Sequence, residues 1–108
     1  MVSQMRRGVL ELCILSIVSE KAAYPSDIME ELKASQLIVK EGTIYPLLTR
    51  LKNQGFLHYK WEESTMGPPR KYYSTTPSGK IFLAELKNTW DSLVKAGNQS
   101  TKNISTNE

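Results

Sequence analysis

The chain has 108 residues, which suffices for one domain with one modest hydrophobic core. Its 40% hydrophobic and 23% charged residues are ordinary for a globular protein, and a net charge of +3 favours an anionic partner only weakly. The single cysteine, Cys13, excludes an intramolecular disulfide. Together with the single histidine, His58, it gives too few groups for a metal site or a Cys–His catalytic pair. We therefore expect neither an enzyme nor a cofactor.

The start of the chain resembles a secretion signal only superficially. Arg6 and Arg7 precede an apolar stretch that ends at Val18, but Glu11 interrupts it. The stretch is also too short to span a bilayer. We therefore expect a cytoplasmic protein with no membrane partner, in which Cys13 is a buried thiol.

Three helices are predicted before residue 55. The first, from about 5 to 19, is apolar around most of its circumference, which is typical of a central helix. The second begins at Pro25, a residue suited to the first helical position, and ends between 35 and 37. The third runs from about Glu41 to Gln54 and ends at Gly55 in a left-handed turn, and Pro46 should bend it or loosen its first turn. Its buried face is predicted from the i, i+3, i+4, i+7 spacing of Ile44, Leu47, Leu48 and Leu51.

The hydrophobic period changes from 3.6 to 2 after Gly55, which predicts strands rather than a helix. Strands over 56–62 and 70–75 should pair as a hairpin around a turn rich in glycine and proline at 64–69. Thr76 is a suitable N-cap, and Pro77 fits the first position of a long helix that ends near 96. From Gly97 onward the chain is polar and should be disordered.

This element order predicts a mostly α fold with a small β-hairpin (α+β), a winged helix-turn-helix with a long C-terminal helix. The apolar width of that last helix predicts that it is a dimerisation helix. Residues 1–76 should form the DNA-binding domain, and residues 77–96 a dimerisation helix packed on the same domain. Residues 97–108 should form a disordered polar tail.

The outer face of the third helix suits the major groove of DNA, which admits one α-helix. The predicted DNA-binding residues are Thr43, Tyr45, Pro46, Thr49, Arg50 and Asn53 on this helix, and Lys60, Arg70 and Lys71 on the hairpin. Lys52 is predicted to be peripheral, and Glu41 would repel phosphate unless paired. A polar face that is simply solvated remains an alternative for the helix and for the hairpin.

Four motifs in this order resemble the PadR family of bacterial regulators. The resemblance covers the chain from Met5 to Val94. The motifs are Gly8-Val9-Leu10-Glu11-Leu12-Cys13-Ile14-Leu15, Glu41-Gly42-Thr43-Ile44-Tyr45-Pro46-Leu47-Leu48-Thr49-Arg50-Leu51, Gly55-Phe56-Leu57 with Gly67-Pro68-Pro69-Arg70-Lys71-Tyr72-Tyr73, and Thr76-Pro77-Ser78-Gly79. Two positions depart from the family pattern: Pro68 stands where Arg is frequent, which removes a wing cation, and Lys40 replaces an N-capping Ser.

The resemblance implies a homodimer joined through the last helix with help from the first, which binds a pseudo-palindromic operator, usually as a repressor. Some relatives bind flat aromatic molecules between tryptophans of the two last helices, and Trp90 matches that position. The residues expected in the dimer interface or an effector site are Trp90, Leu86, Leu93, Met5 and Val9. Trp90 as a purely structural interface residue is the alternative. A winged helix that binds another protein instead of DNA is the alternative for the whole chain.

Overall fold

A computed structural model describes residues 3–63 and 67–104. Four helices and one antiparallel hairpin follow each other in the predicted order, so the α+β winged-helix fold is confirmed. The elements are α1 (Ser3–Glu20), α2 (Pro25–Ala34), α3 (Glu41–Asn53), β1 (Leu57–Glu62), β2 (Arg70–Thr75) and α4 (Pro77–Ser100). The predicted turn at 64–69 lies partly outside the described residues, as do the last four residues of the predicted tail.

One hydrophobic core joins the first three helices to the hairpin. Its central side chains are at most 2% exposed, and each contributes roughly 1.5–3 kcal/mol by leaving water. They are Leu10, Ile14 and Leu15 of α1, Ile28 and Leu32 of α2, Ile44, Leu48 and Leu51 of α3, and Leu57 and Tyr73 of the hairpin. The predicted inner face of α3 is confirmed, since Leu47 is buried as well.

The corner between α3, β1 and α4 is fixed by local hydrogen bonds. Gly55 ends α3 with a φ of 84°, the left-handed conformation that the sequence predicts there. Thr76 caps α4 by accepting a hydrogen bond from the Gly79 amide at 3.0 Å, and its hydroxyl donates to the Gly55 carbonyl at 2.6 Å. The start of the last helix is thereby tied to the end of α3.

The hairpin has two distinct faces, set by its register. Leu57, Tyr59 and Trp61 pair with Thr75, Tyr73 and Lys71 and form the inner face, which is the one packed on the core. His58, Lys60 and Glu62 pair with Ser74, Tyr72 and Arg70 on the outer face. Ala23 bonds to Tyr73 through both backbone groups, at 3.0 and 2.9 Å, and protects the free edge of β2.

Two details differ from the prediction, at the end of α4 and at Cys13. α4 continues to Ser100 instead of ending near 96, because each residue added to an existing helix gains one hydrogen bond, so residues 97–100 are helical rather than disordered. α3 is helical from Glu41 through Pro46, and the bend predicted at Pro46 stays a prediction; the missing N–H of Pro46 leaves the carbonyl of Gly42 without its usual helical partner. Cys13 is half-buried rather than buried; desolvation raises the pKa of its thiol, which therefore stays protonated at neutral pH.

Candidate nucleic-acid interface

The outer face of α3 is open to solvent along its whole length. All six helix residues predicted to bind DNA are exposed: Thr43, Tyr45, Pro46, Thr49, Arg50 and Asn53. The face begins without a side-chain cap, because Lys40 at the N-cap makes no side-chain hydrogen bond to the helix. A free helix face of small polar groups has the shape and the chemistry that major-groove contact requires.

Arg50 does not project freely from this face. Its Nε atom lies 3.7 Å from Oε2 of Glu11 on α1, and the two side chains are 45% and 18% exposed. No sequence pattern indicates this pair, because the two residues lie on helices that are far apart along the chain. Glu11 therefore holds the guanidinium and offsets part of its charge.

Glu11→Gln is expected to strengthen binding to duplex DNA by about two- to fivefold for each subunit bound, the range expected for removing one partly exposed ion pair. The amide keeps the shape of Glu11 but frees the charge of Arg50 for phosphate. Filter binding at fixed salt measures the change. Glu85→Gln, which removes an exposed carboxylate from α4, is the control. Equal gains in both variants would show that only net charge changed and that the ion pair is irrelevant.

The three predicted wing cations do not form one patch. Lys60 and Arg70 lie on the outer face of the hairpin, whereas Lys71 lies on the inner face. Nζ of Lys60 is 3.7 Å from a carboxylate oxygen of Glu62, and the guanidinium of Arg70 stacks 3.8 Å from the ring centre of Tyr24. The register therefore separates Lys71 from the other two.

Lys71 belongs to an aromatic cluster beside α3. Its Nζ lies 4.6 Å from the ring centre of Tyr59 and 5.5 Å from that of Trp61. Lys52 of α3, which is predicted to be peripheral to the DNA contacts, lies over the same Tyr59 ring at 6.0 Å. The period-2 alternation of residues 57, 59 and 61 could have placed Trp61 here, but the sequence carried no signal for the approach of Lys52.

Tyr73 anchors this side of the hairpin in the core. It is 2% exposed, and its ring lies 5.5 Å from that of Tyr59. Burial, and after it the neighbouring hydroxyls of Tyr59 and Tyr45, raise the pKa of Tyr73. The outer face of α3 therefore has a neighbour of Tyr73 in Tyr45.

A second candidate site is an apolar groove between α1 and α4. Its volume is about 490 Å³, and it is lined by all five residues predicted for an effector site or dimer interface: Met5, Val9, Leu86, Trp90 and Leu93. Met5 and Leu93 are 69% and 64% exposed, which is unusual for adjacent apolar side chains on a monomer surface.

Metal sites and membrane spans are absent from the described part of the chain. Residues 3–63 and 67–104 contain no cluster of three or more histidine, cysteine, aspartate or glutamate side chains placed to hold a metal ion. No helix within these ranges is long and apolar enough to cross a membrane.

Comparison with known proteins identifies the family. The model of the transcriptional regulator PadR-like family matches residues 14–85, more than half of the chain. The fold is similar to that of a PadR-like transcription factor from Bacteroides fragilis, with 55% identity, a TM-score of 0.79, and coverage of 90% of this chain and 94% of that one. It is also similar to that of a PadR-like transcriptional regulator from Bacillus cereus, with 36% identity, a TM-score of 0.76, and coverage of 98% and 100%.

A curated relative agrees with this assignment. A transcriptional regulator of Mycobacterium tuberculosis is 28% identical over 92 residues, which are 85% of each protein. The chain belongs to the PadR-like family of transcriptional regulators.

Proposed function

We propose that this regulator is a homodimeric, sequence-specific repressor that binds double-stranded DNA at a pseudo-palindromic operator in the bacterial cytoplasm. The observation that carries the proposal is the division of α3 into a buried apolar face and an exposed polar face. Leu48 and Leu51 hold the helix against the core while Thr43, Tyr45 and Thr49 face solvent. This arrangement allows the helix to enter a major groove without rearranging the core.

The apolar groove between α1 and α4 supports a dimer as the binding unit. Trp90, Leu93 and Val94 are 40%, 64% and 38% exposed, and a second copy could cover them. Burying such residues gains roughly 25 cal/mol for each Å² removed from water. We include in the proposal a small aromatic effector bound beside Trp90, because an indole lining an apolar groove can stack on a flat ring.

The double variant Thr43→Ala/Thr49→Ala is expected to bind its operator at least about tenfold more weakly, with little change for unrelated duplex. The hydroxyls are small polar groups on the groove-facing side, and contacts to base edges rather than phosphates set sequence preference. Fluorescence anisotropy with the chain's own upstream DNA and a shuffled duplex measures both affinities. Asn88→Ala, which truncates an exposed polar residue of α4, is the control.

Salt dependence separates this proposal from the alternative of a protein-binding winged helix. If several phosphates are contacted, the logarithm of the association constant falls steeply and linearly with the logarithm of salt concentration. Negligible affinity of the unmodified protein for any duplex at low salt would favour the protein-binding alternative. For the double variant Thr43→Ala/Thr49→Ala, an equal loss of affinity for operator and for shuffled duplex would show that the two threonines make no base contacts.

A further inference from the structure

The space between α3 and the hairpin holds a cluster of aromatic rings and amines that the predicted DNA contacts include only in part. We call Lys52, Tyr59, Trp61 and Lys71 the helix–wing cluster. The rings of Tyr59 and Trp61 meet edge to face, 5.8 Å apart at 85°. Both ammonium groups lie within 6.0 Å of the centre of the Tyr59 ring. The Tyr59 ring thus lies close to one cation of α3, Lys52, and to one cation of β2, Lys71.

The charges of this cluster differ from those of Arg50 and Lys60, two other cations near the interface. Arg50 is paired with Glu11 and Lys60 with Glu62, so their charges are partly offset. Within residues 3–63 and 67–104, Lys52 and Lys71 form no ion pair. A ring face holds an ammonium group in place without neutralising it, because the ring carries a quadrupole rather than a net charge. The charge of these two lysines is therefore not offset by a carboxylate of the described residues, and the Tyr59 ring favours their placement side by side.

The position of Trp61 is not explained by packing in the hydrophobic core. It is 60% exposed although its neighbours on the inner face, Leu57 and Tyr73, are at most 2% exposed. Its edge-to-face contact with Tyr59 leaves most of the indole open to solvent beside Lys71. A large exposed aromatic side chain beside a cation is typical of surfaces that bind nucleic acid.

We propose that the helix–wing cluster clamps one strand of the DNA backbone where it passes from the major groove to the neighbouring minor groove. Lys52 and Lys71 contact phosphates of that strand, and the Trp61 indole lies against its sugars. This inference rests on the proposed function, since α3 must occupy the major groove for the strand to run between α3 and the hairpin. It adds Lys52 and Trp61 to the DNA contacts, and it separates Lys71 from Lys60 and Arg70, which lie on the opposite face of the hairpin.

The proposed clamp predicts how two lysine variants change the salt dependence of the affinity for duplex DNA. Lys52→Ala and Lys71→Ala should each weaken binding about three- to tenfold, equally on operator and shuffled duplex. Each should make the slope of log affinity against log salt less steep by about 2, because the dimer loses one phosphate contact in each subunit. Lys95→Ala removes an exposed lysine from α4 and should leave the slope unchanged. If the Lys52 and Lys71 variants keep the unmodified slope, the clamp is excluded while DNA binding itself stands.

Trp61 gives an independent readout, because the chain has only two tryptophans. In a Trp90→Phe background, Trp61 is the sole indole, and duplex DNA should shield its fluorescence from acrylamide. Trp61→Ala should weaken binding about tenfold without changing the salt slope, since no charge is lost. Because Trp61 is largely exposed, the variant should keep its fold, which circular dichroism checks. Quenching that DNA leaves unchanged, while DNA is bound, would overturn the clamp. Absence of binding by the unmodified protein would overturn the proposed function as well.

Discussion

Leu93→Glu is expected to convert the protein from a dimer to a monomer and to lower operator affinity about a hundredfold or more. Leu93 lines the apolar groove between α1 and α4 and is 64% exposed in the single chain. If a second copy covers it, the new carboxylate would be buried without a partner, which costs several kcal/mol. A dimer that contacts both half-sites binds about 10²–10⁴ times more tightly than a monomer that contacts one, so the monomeric variant should lose affinity by that factor. Light scattering and anisotropy at matched concentrations measure the two losses.

The neighbouring residue gives a matched control for that experiment. Ser92 precedes Leu93 on α4, is exposed, and does not line the groove. Ser92→Glu adds the same charge one position away, and it should leave both the dimer and the operator affinity nearly unchanged. A Leu93→Glu protein that scatters light as a dimer would place the subunit interface elsewhere on the molecule.

The helical part of the fold could be predicted from the sequence because its signals are local. Period 3.6 in α3 separates Ile44 and Leu48 from Thr43 and Thr49, and the structure buries the first pair and exposes the second. Gly55 ends α3 because its backbone adopts the left-handed conformation, and Thr76 begins α4 because its hydroxyl accepts the capping hydrogen bond. Such predictions need no knowledge of distant residues.

The candidate site was harder to predict where it depends on register or on distant contacts. Alternation shows which residues of one strand share a face, but the pairing of Trp61 with Lys71 depends on how the turn sets the register. The contacts of Arg50 with Glu11, and of Lys52 with Tyr59, join elements whose packing the sequence does not state. A list of wing cations taken from the sequence therefore mixed the two faces of the hairpin.

Gly79→Ala is expected to destabilise the protein by about 3 kcal/mol, a fall in Tm of about 10–20 °C. A Cβ at this position would lie 2.1 Å from the carbonyl oxygen of Phe56 and 2.8 Å from Cγ2 of Thr75. The oxygen belongs to the backbone and accepts a hydrogen bond from the Thr76 amide at 3.2 Å, so it cannot rotate away. The start of α4 must then move from the corner that Thr76 fixes.

Thermal unfolding followed by circular dichroism measures this loss, and a second glycine supplies the comparison. Gly42 lies in α3, and a Cβ added to it would have no heavy atom within 4 Å, so Gly42→Ala places the same carbon in open space. Alanine is the better helix former, and Gly42→Ala should keep or slightly raise Tm. Equal Tm values for the two variants would show that the corner does not need the close approach of α4 to the Phe56 carbonyl.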